Sequence, residues 1–314
     1  MITSKLEPTT DHPSRLRKIG MIRLRERFYG DGPPHWTVGR KDKPCETADE
    51  AAHAWRIAVK RLRNRATSNL DADRALKFEE IADAIQSCLP YQRCRHSACP
   101  LCLRALQRWF VWTAPTALRI ATRSSGEGLV AISIIPKLRL TVGASLSHTK
   151  AQLTRVLTML RKGLEEAGVQ LLCGGIDLSL NEEPTQRYSS EMRRLRVQLH
   201  LWAIGPETDV RQAETKIRKI FAQATHIPRP IKIDEFDGRL RGYAYALKTD
   251  FQRRIRLVPK LKSKRRWNTR SKDLTVEQTA EVMMLLEMIG DRRLLLIGAE
   301  VTKNRKNRTV IRPV

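Results

Sequence analysis

The chain predicts an α+β protein: an antiparallel split βαβ sheet with helices on one face, preceded by a helical, cysteine-rich module. Three observations carry that prediction. Between residues 129 and 250 the apolar spacing switches between period two and period 3.6 in the order β-α-β-β-α-β-α. Within it, Arg196 to Gly205 alternates strictly: Val197, Leu199, Leu201 and Ala203 share one face, and Gln198, His200 and Trp202 share the other. Upstream, Cys88, Cys94, Cys99 and Cys102 are bunched, leaving only Cys45 and Cys173 elsewhere. Such bunching favours a metal in a reducing cytoplasm over a disulfide framework.

The 314 residues carry 59 Lys+Arg against 33 Asp+Glu, a formal charge of +26, and 41% of them are hydrophobic. That apolar content suffices for a core, and the surplus of cations answers a polyanion. Nucleic acid is the expected partner. A membrane is not, because no apolar run approaches the ~20 residues of a spanning helix and no secretory signal is read at the start.

Residues 1–46 read as a loose basic arm with a short strand at His35 to Val38. The module over 47–123 begins with a helix from Thr47 to about Ala66, for which Thr47 and Glu50 form a capping box, and a second helix from Ala72 to Ile85. Cys94-x4-Cys99-x2-Cys102 follows, and a helix then carries Arg104, Arg108, Trp109 and Trp112. Two thiolates on a tight turn can reach one tetrahedral Zn²⁺ ion, with Cys88 or His96 as fourth ligand. Such a zinc is a structural staple presenting a basic helix; Arg104 and Arg108 are candidate nucleic-acid contacts.

Residues 124–250 form the sheet domain. Leu129 to Pro136 reads as a strand, Ser147 to Gly168 as an amphipathic helix, and Val169 to Asn181 and Leu195 to Ile204 as strands. Thr208 to Thr225 is a helix, Ile227 to Ile233 a strand, and Gly238 to Asp250 a final helix with Tyr245 and Lys248 three residues apart on one face. On the Val169 to Asn181 strand, Asp177, Ser179 and Asn181 face one way, and a hairpin with the next strand brings Asp177 beside Gln198 and His200. Those three are candidate metal ligands on a sheet face expected to stay open. Residues 251–314 read as a basic extension in which Lys264, Arg265 and Arg266 run directly into Trp267, a combination suited to phosphates with a stacked base. A helix from Thr275 to Ile289 and a strand from Arg293 to Thr302 lie within it.

The order of these motifs resembles the rolling-circle replication initiators of the HUH endonuclease superfamily. CRHSACPLC, Cys94 to Cys102, is similar to a cysteine motif that precedes the catalytic domain in one branch. Gln198-Leu199-His200 stands where that family carries His-hydrophobic-His, and Tyr245-Ala-Leu-Lys248 where it carries Tyr-x-x-Lys. The resemblance implies a cytoplasmic, plasmid- or phage-type endonuclease. In it Gln198, His200 and Asp177 hold Mg²⁺ or Mn²⁺ at the scissile phosphate, and Tyr245 attacks to leave a 5′-phosphotyrosine. A phenol with a pKa of about 10 is a weak nucleophile, and the resemblance gives Lys248 and the metal the task of easing its ionisation. The implied partners are an origin with single-stranded character and a host helicase and polymerase. Two positions depart from the pattern: glutamine replaces the first histidine, and Arg241 stands where replication initiators carry the glutamate that serves termination. A non-catalytic DNA- or RNA-binding protein on an RNA-recognition-like sheet is the alternative, although Trp202 is the sole aromatic of the two central strands.

Overall fold

The computed structural model describes residues 48–68, 71–89, 92–122, 126–169, 171–182, 195–221, 230–256, 269–296, 299–303 and 309–313. The helical part comprises α1 (Ala48–Ala66), α2 (Ala72–Gln86) and α3 (Pro100–Ala121). The sheet part runs β1 (Leu129–Ile134), β2 (Leu140–Thr141), α4 (Leu146–Ala167), β3 (Cys173–Glu182), β4 (Leu195–Pro206), α5 (Glu207–Ile220), β5 (Ile231–Glu235) and α6 (Leu240–Ala246). Then come β6 (Gln252–Arg256), β7 (Thr269–Asp273), α7 (Val276–Ile289), a 3₁₀ turn at Gly290–Arg293, β8 (Leu294–Leu296), β9 (Ala299–Lys303) and β10 (Thr309–Pro313). The expected arm and its strand lie outside the described residues, as does Thr47. Among the described residues no helix is long and apolar enough to cross a membrane.

The sheet is ordered β5-β1-β4-β3-β6-β7, with β2 added to β4 and β8 to β3. β1 and β3 are joined through α4, and β4 lies between them, antiparallel to both. The strand bearing Gln198 and His200 is therefore central. One pairing departs from the antiparallel expectation: β6 runs parallel to β3, which makes the sheet mixed.

Local chemistry explains the elements that set this frame. Helix α4 starts where the Ser145 hydroxyl accepts from His148 N–H and stops at Gly168, whose φ of 74° is left-handed. Its buried stripe of Leu153, Val156, Leu160 and Leu164 packs with Val210, Ala213 and Ile217 of α5 against Val130, Ile132, Ile134, Leu199 and Leu201 of the sheet. Each leucine, isoleucine or valine among them, fully buried, contributes about 1.5–3 kcal/mol of transfer free energy. Helix α7 carries a full capping box between Thr275 and Gln278 and joins the same core as α1 and α2. The C-terminal stretch is thus built into both parts of the molecule: α7 with the N-terminal helices, β6 to β8 with the sheet.

The opposite sheet face is not open along its whole length. Phe110, Val111, Ala114 and Leu118 of α3 and Tyr243, Ala244 and Ala246 of α6 bury Cys173, Trp202 and Ile204. Helices therefore lie on both faces, and the expectation of one covered face is corrected. The reason is written in one glycine of β3. A Cβ on Gly175 would sit 2.2 Å from the carbonyl oxygen of Ala246 and 2.8 Å from Leu247 Cδ2. Only hydrogen lets α6 dock this closely, and only at this end of the face. Gly175→Ala should destabilise the chain by about 1–3 kcal/mol, the range for overpacking, measured by urea unfolding. It should also loosen α6 in hydrogen exchange.

Candidate functional site

His200 lies directly opposite Asp177 in the β3–β4 ladder, and Gln198 opposite Ser179. Paired residues of an antiparallel ladder point to the same face, so the hairpin gathers the three candidate ligands. Asp177, Gln198 and His200 are all buried, at 1%, 5% and 6% exposure. Ser133 of β1 adds a hydroxyl 2.7 Å from His200 Nε2, and the Gln198 amide donates to Pro136 O at 3.4 Å. Burial pushes the His200 pKa down to about 3, and the charges of Lys248 and Arg254 add to that. The ring is neutral at ordinary pH, the form that ligates metals.

Above this pair sits Tyr245. Its ring meets His200 edge-on at 6.0 Å between centroids and Trp202 at 6.2 Å. Tyr245 is 38% exposed whereas Tyr243 is 4% exposed, and Tyr243 packs edge-on against Phe236 at 5.0 Å. Burial also raises the Tyr243 hydroxyl well above the ordinary phenol range. Of the two tyrosines, Tyr245 faces the site and Tyr243 fills the core. Arg241 lies exposed one turn before Tyr245 on α6.

Lys248 differs from expectation in its backbone. The helix ends at Ala246 with Leu247 as its cap, so Lys248 follows the helix and does not share a helical face with Tyr245. The two still meet, with the ammonium 4.3 Å from the Tyr245 ring centre. That ammonium also pairs with Asp177 Oδ2 at 3.2 Å. On the other side of the carboxylate stands Arg293, itself 1% exposed, 3.8 Å from Oδ1. Arg293 donates to the backbone carbonyls of Ile176 at 3.3 Å and Lys248 at 3.0 Å. Neither Asp177 oxygen accepts a hydrogen bond of good geometry. Burial raises the Asp177 pKa while Lys248 and then Arg293 oppose the rise.

The cysteines form a second centre. The sulfurs of Cys88, Cys94, Cys99 and Cys102 lie within 4.8 Å of one another, with Cys102 3.7 Å from both Cys88 and Cys94. Four thiolates bound at about 2.3 Å to one tetrahedral ion would stand about 3.8 Å apart, so the cluster can hold a metal such as zinc. His96 is not in it: its Nδ1 donates to Glu287 of α7 at 2.9 Å, and the same carboxylate accepts from Ala98 N–H at 3.2 Å. Arg95, between two ligands, holds a left-handed φ of 63°. This cluster is coupled to the first site through α3, whose Gln107 side chain donates to Ala244 O beside Tyr245 at 3.1 Å. Arg104 and Arg108 lie on the same helix, half-buried and engaged with neighbours. Lys264, Arg265 and Arg266 fall outside the described residues.

Sequence reasoning missed Ser133, Gln107 and Arg293. Ser133 had a signal, as the one polar residue inside the strand Leu129–Ile134. Arg293 had none, since its partners lie far away in sequence. Comparisons of the chain with models of known protein families, with curated proteins and with solved structures returned no match.

Two outcomes follow from these centres. One zinc per chain is expected by elemental analysis, with Cys99→Ser and Cys102→Ser each losing the metal and much of the thermal stability, because structural zinc binding is folding free energy. For His200 the folded pKa lies below the unfolded 6.5. Both states hold a neutral ring above pH 6.5, and below it the unfolded chain takes up the proton first, so stability falls as pH falls toward 3. Between pH 6.5 and 4.5 wild type should lose about 2 kcal/mol more than His200→Gln in urea unfolding.

Proposed function

We propose that this chain is a tyrosine-dependent DNA nicking and joining protein that initiates rolling-circle replication of a plasmid, phage or integrated element. The strand order β5-β1-β4-β3 supports the reading, since β4 inserted between β1 and β3 is the arrangement of a split βαβ unit. The observation that carries the reading is the convergence of three separated motifs: Tyr245, half-exposed, stands against the His200 ring and under the Lys248 ammonium, with Asp177 opposite His200.

In this reading the Tyr245 hydroxyl oxygen attacks the phosphorus of a DNA phosphodiester, and the bond to the 3′-oxygen breaks. The phenolic proton leaves, a proton goes to the 3′-oxygen, and the products are a 5′-phosphotyrosine and a free 3′-hydroxyl. Attack by a 3′-hydroxyl on the phosphotyrosine reverses the step and joins strands. Lys248 sits where its charge can stabilise both the phenolate and the phosphate. Ser133 orients the His200 ring, and Arg293 ties the backbone of Ile176, just before Asp177, to that of Lys248.

In this reading Gln198, His200 and Asp177, on one face of the β3–β4 ladder, would hold Mg²⁺ or Mn²⁺, with the Asp177 carboxylate turning to the ion from its pairing with Lys248 and Arg293. When bound, the ion would polarise the phosphoryl oxygens. Zinc in the cysteine cluster would be structural, holding α3 and through Gln107 the end of α6.

The test is a denaturing gel of the protein with labelled single-stranded DNA pools and Mn²⁺. A slow-migrating covalent adduct should form, vanish with EDTA, survive in Tyr243→Phe and be lost in Tyr245→Phe and His200→Ala. Adduct that persists in Tyr245→Phe would move the chemistry to another residue. Tight, salt-sensitive binding with no adduct from any pool would make the chain a non-catalytic nucleic-acid binder, with Gln198 and Arg241 marking the lost chemistry.

A further inference from the structure

On the sheet face of His200 and Asp177, one cross-strand row contains only polar residues. The ladder pairs Thr141 with Arg196, Arg196 with Asn181, Asn181 with Arg254, and Arg254 with Ser271. The row therefore crosses β2, β4, β3, β6 and β7 without a break. The sequence neighbours Leu140, Val197, Leu180 and Ile255 are buried on the other face, which fixes the orientation of Thr141, Arg196, Asn181 and Arg254, and Ser271 follows from its pairing with Arg254. Thr141, Arg254 and Ser271 are exposed, and Arg196 and Asn181 half-buried. Between this row and the Asp177–His200 pair lies one more polar pair, Ser179 and Gln198. Asn181 is four residues along β3 from Asp177, about 13 Å at 3.3 Å per residue, a span that a nucleic-acid strand covers in a few nucleotides.

We infer that this row is the track for single-stranded DNA leading to or from the Tyr245 site, with Arg196 and Arg254 on phosphates and Asn181 and the hydroxyls on base edges. The inference rests on the nicking reading for its choice of DNA. Shape selects a single strand over a duplex: five strands spaced about 4.8 Å make a shelf about 19 Å wide, and a major groove about 12 Å wide does not admit it. Short amide and hydroxyl side chains on such a shelf reach base edges only when the bases are unpaired and lie on it. Charge points the same way, since the two arginines flank the row's centre in a chain of formal charge +26.

The experiment is fluorescence anisotropy with a labelled single-stranded oligonucleotide and with its duplex. It uses the full zinc-loaded chain, Arg196→Gln/Arg254→Gln, and a charge-matched control, Lys216→Gln/Lys219→Gln on α5, the helix packed against the opposite face. The row variant should bind single strands about tenfold more weakly, with a log-log salt slope shallower by about 1.4, or 0.7 per single-strand phosphate. Its duplex affinity should change no more than the control's. Equal losses in row variant and control, or equal losses for single strand and duplex, overturn the track. Tighter row-dependent binding of RNA of the same sequence overturns the choice of DNA. Adduct formation is read on the same preparations: row-dependent binding without wild-type adduct upholds the track and sinks the nicking reading.

Discussion

A buried carboxylate must find positive charge, because removing its partner leaves several kcal/mol of uncompensated desolvation. Asp177 finds it on two distant stretches of chain, Lys248 just after α6 and Arg293 just after α7. The rest of the site depends on that demand. Lys248 is drawn over Tyr245, Arg293 ties the main chain of β3 to that of residue 248, and the sheet, the tyrosine helix and the C-terminal segment are fastened at one point.

The cysteine cluster acts on the same point from outside. Glu287 of α7 grips the cysteine loop through His96 and Ala98, and α3 leaves that loop to reach Ala244 through Gln107. The sulfur cluster and the tyrosine are therefore two ends of one run of contacts along α3. A structural metal there would set the position of α6 without touching any substrate.

Much of this was legible because strand chemistry has period two. The alternation in Arg196 to Gly205 and in Ile176 to Asn181 was enough to put Asp177, Gln198 and His200 on one face, and the cysteine spacing was enough to expect a metal-sized cluster. Side chains whose partners are set by tertiary packing were not legible. Arg293 sits in an ordinary basic turn by sequence, and only the β3–β8 pairing beside it brings it to Asp177. The covered face was misjudged because Gly175 reads as a mere strand residue, whereas its missing side chain is what admits α6. Lys248 was assigned to a helix by spacing alone, and the chain turned out of the helix before reaching it.

The central claim is that Tyr245 itself becomes bonded to DNA. The most direct measurement is mass spectrometry of trypsin- and nuclease-treated protein after incubation with single-stranded DNA and Mn²⁺, read on the peptide Gly242 to Lys248, which holds both tyrosines. The account predicts a nucleotide linked through its 5′-phosphate, with fragment ions placing it on Tyr245. The same mass on Tyr243, or an unmodified peptide from protein that has cut its substrate, would contradict it.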